Sequence, residues 1–74
     1  MCNTFISGAT GKVGRILVEK ILEDSDLNLI GGSASKESKE LGKDLGILIG
    51  KKAININIVD SISNEYQIDL IIDF

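Results

Sequence analysis

The sequence predicts an α/β fold built on a parallel sheet, and three features of its 74 residues carry that expectation. A β-prone run at residues 2–7 stops at a glycine, three glycines spaced three residues apart follow, and a helical repeat of apolar residues starts inside that glycine segment. Strand, tight turn and helix in this order call for a second strand parallel to the first, reached by a right-handed crossover.

The first strand is Cys2-Asn3-Thr4-Phe5-Ile6-Ser7, ending at Gly8. Apolar residues then recur at Val13, Ile16, Leu17 and Ile21, with Val18 and Leu22 widening the stripe, which places a helix over 12–23. Leu27-Asn28-Leu29-Ile30 reads as a second strand, ended by Gly31-Gly32. Residues 33–40 are small and polar, as a surface loop is, and Leu41-Gly42-Lys43-Asp44-Leu45-Gly46 reads as a turn or one helical turn. Ile54, Ile56 and Ile58 alternate with Asn55 and Asn57, a period of two that suits a half-exposed strand. Residues 60–67 form a polar connection with room for a short helix. Leu70-Ile71-Ile72-Asp73-Phe74 is a buried-type strand, of the kind a sheet covered on both faces requires, and as the last strand it is left uncovered. No internal repeat, low-complexity tract or linker divides residues 1–74.

Composition narrows the chemistry. A chain this short buries only about 60 % of the surface its unfolded form exposes, so any fold is marginal. There is no His, which removes the commonest general acid–base and metal ligand. The lone Cys2 permits neither an internal disulfide nor a zinc cluster, and it suits a reducing cytoplasm. A net charge of −3 argues against a nucleic-acid partner, which needs a basic surface. Residues 1–7 are too short and polar for a signal peptide, and no apolar run approaches the roughly 18 residues of a spanning helix. The expectation is a cytoplasmic chain with no membrane partner and no bound metal.

The glycines carry the functional signal. Gly8 lets the chain leave its strand sharply, Gly11 lets backbone N–H groups approach phosphate oxygens, and Gly14 lets the helix pack close to the sheet. The first helical turn offers unpaired N–H groups and a positive dipole end to an anion. Lys12 and Arg15 lie in the first turns while Glu19, Glu23 and Asp24 lie toward the end, the reverse of what the dipole favours. That arrangement costs about 0.3–1 kcal/mol per exposed charge. An arriving phosphate relieves the conflict at the start of the helix; the plain alternative is screening by solvent. The fold class is thus α/β, a partial Rossmann-like doubly wound parallel sheet, with a nicotinamide dinucleotide as partner.

In NAD-preferring sites an acid about 20 residues beyond the glycines accepts hydrogen bonds from the adenosine ribose. Here that region is Ser33-Ala34-Ser35-Lys36, with no acid before Glu37. Ser33, Ser35 and Lys36 are suited to a 2′-phosphate instead, which favours NADP over NAD. A solvated loop with no contact is the competing reading.

Three blocks, Gly8-Ala9-Thr10-Gly11-Lys12-Val13-Gly14-Arg15, then Leu41–Gly46, then Asp69-Leu70-Ile71-Ile72-Asp73-Phe74, resemble the N-terminal portion of the 4-hydroxy-tetrahydrodipicolinate (dihydrodipicolinate) reductase family. The resemblance runs over the whole chain. It implies a truncated NAD(P)-binding domain over residues 1–74, with Gly8, Ala9, Thr10, Gly11, Lys12 and Val13 cradling the pyrophosphate and Ser35 and Lys36 near the adenosine ribose. It also implies NAD(P)H-dependent reduction in lysine and diaminopimelate biosynthesis, by an enzyme that is a homo-oligomer at full length. The family's acid and base after the second strand fall, by spacing, on Ala34 and Ser35, with Lys36 adjacent, so the acid is missing. The later cofactor loop, the paired histidines, the proton-donating lysine and the C-terminal substrate and oligomerisation domain are absent. No catalytic residue carries over, and the chain alone is expected to be inactive.

Other constellations rank lower. Glu19, Glu23, Asp24 and Asp26 read as a solvated helix end rather than a metal site, since no regular oxygen-ligand loop is present. Ser7 is not a nucleophile elbow. Asp69 and Asp73 more readily flank a strand than form an acid–base pair. Tyr66 lacks a Lys four residues later, as short-chain dehydrogenases require. The competing functions are an atypical short-chain dehydrogenase, a non-catalytic NADP-sensing regulator, and a decayed gene fragment with an aggregation-prone edge.

Overall fold

In the computed structural model, which describes residues 2–62 and 66–73, the elements follow as β1 (Cys2–Ser7), α1 (Lys12–Glu23), β2 (Leu27–Ser33), α2 (Leu45–Leu48) and β3 (Leu70–Asp73). The three strands form one sheet in the order β2-β1-β3, and both pairings are parallel. This is the expected α/β class, a partial Rossmann-like sheet with helices between its strands. Ser7 pairs with Ser33 on one side and with Asp73 on the other, so the carboxyl ends of all three strands share one edge. Val59 adds a single parallel bridge to Ser33 outside β2. The chain therefore steps outward from β1 through β2 to residue 59, then returns to the far side of β1. That reversal is a topological switch point, where sheets of this class bind ligands beyond the strand ends.

The two faces of β1 bury different neighbours, as alternation requires. Ile6 joins Ala9, Val18, Ile21, Leu29, Ala34, Leu45 and Ile58 in the main core. Phe5, on the other face, is fully buried and meets the Tyr66 ring edge-on at 5.3 Å between centroids.

Helix α1 keeps its expected bounds but turns a different face inward. Gly14, Val18 and Ile21 are its buried residues, while Val13 and Ile16 are more than half exposed, at 53 % and 56 %. Gly14 is the point of closest approach, and the residues four and seven positions on stack beneath it.

Strand β2 also departs from expectation, running through Gly31 and Gly32 to Ser33 instead of stopping before them. These glycines make space: a Cβ on Gly31 would lie 2.7 Å from the Phe5 ring, and one on Gly32 would lie 3.0 Å from the Ala9 Cβ.

The strand expected over 54–58 does not form. Asn55 adopts a left-handed φ of 62°, which interrupts the extended run, and what remains is one antiparallel bridge between Asp44 and Asn57 plus the bridge at Val59. The alternation still sorts the side chains, with Ile58 buried and Asn55 and Asn57 exposed. The 41–46 block closes as a turn leading into the single helical turn α2. In β3, Ile72 packs against the core while Leu70 and Ile71 stay 41 % and 49 % exposed. Residues 63–65 of the polar connection and Phe74 of the expected closing strand lie outside the described residues. No helix among the described residues is long and apolar enough to cross a membrane.

Candidate functional site

The glycine turn emerges from β1 at the shared carboxyl edge. Gly8 takes a φ of 83°, open to glycine at little cost, and swings the chain out of the strand. The N–H groups of Gly8 and Ala9 both donate to the Ser33 carbonyl, at 3.0 and 2.9 Å. The turn is thereby pinned to the end of β2. The amides of Gly8 and Ala9 are thus already committed inside the protein, and Ala9 itself is fully buried.

The open donors begin further on. The Arg15 N–H donates to the Gly11 carbonyl at 2.9 Å, opening the helical ladder, so the amides of Lys12, Val13 and Gly14 precede it. Gly11 is the N-cap, no side chain caps the helix, and its first turn contains no acid. Gly11, Lys12 and Val13 are exposed and Thr10 is half-buried.

The glycines divide by task. A Cβ on Gly14 would collide with the Gly8 carbonyl oxygen and lie 2.8 Å from the Ala9 carbonyl carbon. Gly14 thus closes the helix onto the turn itself. At Gly11, a Cβ would meet nothing nearer than the Gly8 oxygen at 3.8 Å, and its φ of −72° and ψ of 169° suit any residue. Packing among the described residues does not require a glycine there. A dinucleotide whose phosphates rest on that backbone does, and in this respect the residues present fit the group.

Beyond β2, Ala34 is buried and donates its N–H to the Val59 carbonyl at 2.9 Å. Ser35 and Lys36 are exposed, and the Ser35 carbonyl accepts the Ser38 N–H at 3.0 Å to close a turn. Because Ser33 pins the glycine turn, residues 34–36 leave β2 from the point where that turn is tethered. The ion pair formed among the described residues joins Lys43 and Glu40 at 3.0 Å and leaves Lys36 out. On the other side of β1, Asp73 ends β3 opposite Ser7. Asp69 precedes β3, where its Oδ2 accepts the Asn3 N–H at 2.9 Å. Asp69 thus flanks the strand, whereas Asp73 is its last paired residue.

Asp44 is a functional anchor of the fold that the glycine and strand patterns do not single out. Its Oδ2 accepts the Ile47 N–H at 3.1 Å, both oxygens accept the Ile54 N–H at 3.2 and 3.0 Å, and Oδ1 accepts the Ile56 N–H at 3.0 Å. Desolvation acts to raise its pKa, but N–H donors from Ile54, Ile47, Ile56 and Gly46 outweigh it and hold the carboxyl below its ordinary value. The available signal was an Asp directly before a helical turn, which is an N-cap pattern. Its role is to fasten residues 54–56 to α2. The groove lined by Arg15, Ile16 and Glu19 of α1 with Leu48 and Ile49 lies along the helix flank.

Comparison with known proteins decides the family. The model for "Dihydrodipicolinate reductase, N-terminus" matches residues 2–74. The chain belongs to the dihydrodipicolinate reductase family. Among its relatives, the 4-hydroxy-tetrahydrodipicolinate reductase of Burkholderia ambifaria is 39 % identical over 70 residues, covering 93 % of this chain and 26 % of the relative. The reductase of that name from Myxococcus xanthus is 34 % identical, covering 100 % of this chain and 28 % of its own length. That of Methanopyrus kandleri is 40 % identical over 58 residues, covering 78 % and 21 %. The chain thus spans about a quarter of the length of the curated relatives it matches. The resemblance read from the glycine, Leu41–Gly46 and Asp69–Phe74 blocks is the family found here.

Proposed function

We propose that this chain supplies the nicotinamide-dinucleotide cradle of a 4-hydroxy-tetrahydrodipicolinate reductase serving lysine and diaminopimelate biosynthesis in the cytoplasm. The observation that carries the reading is Gly11, a glycine unexplained by internal packing, at an uncapped helix N-terminus beside a topological switch point. The Lys12 and Val13 amides hold the diphosphate, Gly11 lets it approach, and the Lys12 ammonium offsets its charge. Gly8, Ala9 and Thr10 shape the turn from behind. Ser35 and Lys36 receive the 2′-phosphate of NADP, favoured over NAD because the position expected to carry an acid is the buried Ala34.

Hydride transfer is the chemistry the nicotinamide contributes when bound. The 74 residues orient one end of that cofactor, and no residue among them is assigned a catalytic role. Substrate placement, proton donation and homo-oligomer formation belong to the portion of the family that this chain does not match.

Calorimetric titration of NADPH and NADH into the chain tests the reading. Binding of NADPH in the millimolar range or tighter, lost in Gly11→Val, is expected. A folded chain that ignores both nucleotides overturns it.

A further inference from the structure

We infer that Arg15 is a positioning residue of the glycine turn, acting through the Thr10 carbonyl and not through the ligand. The inference rests on the cofactor reading above. The Arg15 Nε–H donates to the Thr10 carbonyl oxygen at 3.0 Å, reaching back over the first helical turn in the direction that helical side chains take. Its own N–H holds the neighbouring Gly11 carbonyl at 2.9 Å. One residue thus grips both carbonyls that border the cradle.

The physical need comes from Gly11 itself. A glycine gives a ligand room, and it also frees the preceding peptide plane to rotate. The C=O and N–H of a trans peptide point in opposite directions. Rotation of the Thr10–Gly11 plane would carry the Gly11 N–H away from the Gly8 carbonyl, which it meets at 3.4 Å, and would swing a carbonyl oxygen through the turn. A partial negative charge there repels a diphosphate. Arg15 holds that oxygen in a charge-assisted bond, so the turn is set before the anion arrives.

Side-chain geometry supplies a clean test. In Gln the amide nitrogen stands where Arg has Nε, so Arg15→Gln keeps the donor and loses the charge. Arg15→Lys puts a methylene at that point, keeping the charge and losing the donor; Arg15→Met loses both. All three are exposed changes, and unaltered thermal midpoints establish that each variant is folded. NADPH affinity is expected to stay within about threefold of wild type in Arg15→Gln and to fall about tenfold in Arg15→Lys and Arg15→Met. The Thr10 carbonyl carbon shift of the free chain is expected to move in Lys and Met but not in Gln.

Retained affinity in Lys with loss in Gln overturns the inference in favour of a direct charge contact. Equal affinity in all variants also overturns it. If wild type binds no nucleotide, the cofactor reading fails separately, and the Thr10 shift alone decides the bond: the same pattern sustains it, and an unmoved shift in Lys and Met overturns it.

Discussion

The carbonyl oxygen of Gly8 occupies the space that a Cβ on Gly14 would need, and the obstacle is backbone that cannot rotate aside. Gly14→Ala should therefore destabilise the fold by about 1–3 kcal/mol, as overpacking does. Gly11→Ala, with its nearest obstacle at 3.8 Å, should change stability by less than about 1 kcal/mol while still weakening NADPH binding. Urea unfolding of both variants beside a binding titration checks the contrast. Equal destabilisation would show that Gly11 has an internal packing role after all.

Asp44 makes stability depend on acid. Its pKa in the folded chain lies below the ordinary 3.8, so the unfolded state binds the proton more readily. The stabilisation is present in full above the ordinary value and is lost as pH falls through the depressed folded value. Asp44→Asn should be less stable than wild type near neutrality, and the gap should close as the pH drops below about 4. Denaturant midpoints of the pair across a pH series measure this. A gap independent of pH would mean that the carboxylate charge is not what fastens Ile54 and Ile56.

The start of β3 is held by exchange with Asn3. The Asn3 N–H donates to Asp69 Oδ2 at 2.9 Å and the Asp69 N–H returns to the Asn3 carbonyl at 2.8 Å, while the Asn3 amide nitrogen donates to the Gln67 carbonyl at 2.9 Å. Asp69→Ala should cost about 1 kcal/mol. Its effect should be local, speeding amide exchange across 70–73 while leaving the β1–β2 pairing protected. Uniform acceleration would place Asp69 in the global unfolding unit instead.

Lys36 bears on the choice of nucleotide. Lys36→Glu should reduce the ratio of NADPH to NADH affinity about tenfold, the value of one charge-assisted contact. The thermal midpoint should not move, because Lys36 is exposed. An unchanged ratio would remove Lys36 from the site.

Local pattern made β1 and α1 readable from the residues, since β1 is a β-prone run that stops at Gly8 and α1 is an apolar helical repeat that starts after Gly11. The inward face of α1 was not readable, because hydropathy ranks Val13 above Gly14, whereas the site of closest packing demands the smaller residue. Gly31 and Gly32 misled for the same reason. Their absent side chains answer to Phe5, Ala9 and Leu45, which are distant in sequence. The alternating isoleucines at 54–58 predicted which side chains go inward but not the backbone, since Asn55 tolerates a left-handed turn that period-two hydropathy cannot register. Within the candidate site, spacing indicated the glycine turn, whereas the consumption of the Gly8 and Ala9 amides by Ser33 depends on where β2 ends.

The central place of β1 has a consequence for how the chain is made. On the ribosome β1 emerges before either neighbour; β2 follows after one short helix, but the edge spanning Thr4–Ser7 waits for residues 70–73. The nascent β1–α1–β2 unit can assemble early, with one side of its middle strand bare until residues 70–73 follow. Anything that delays synthesis between Ser33 and Leu70 lengthens the interval in which that bare edge is open to capture by a neighbouring chain.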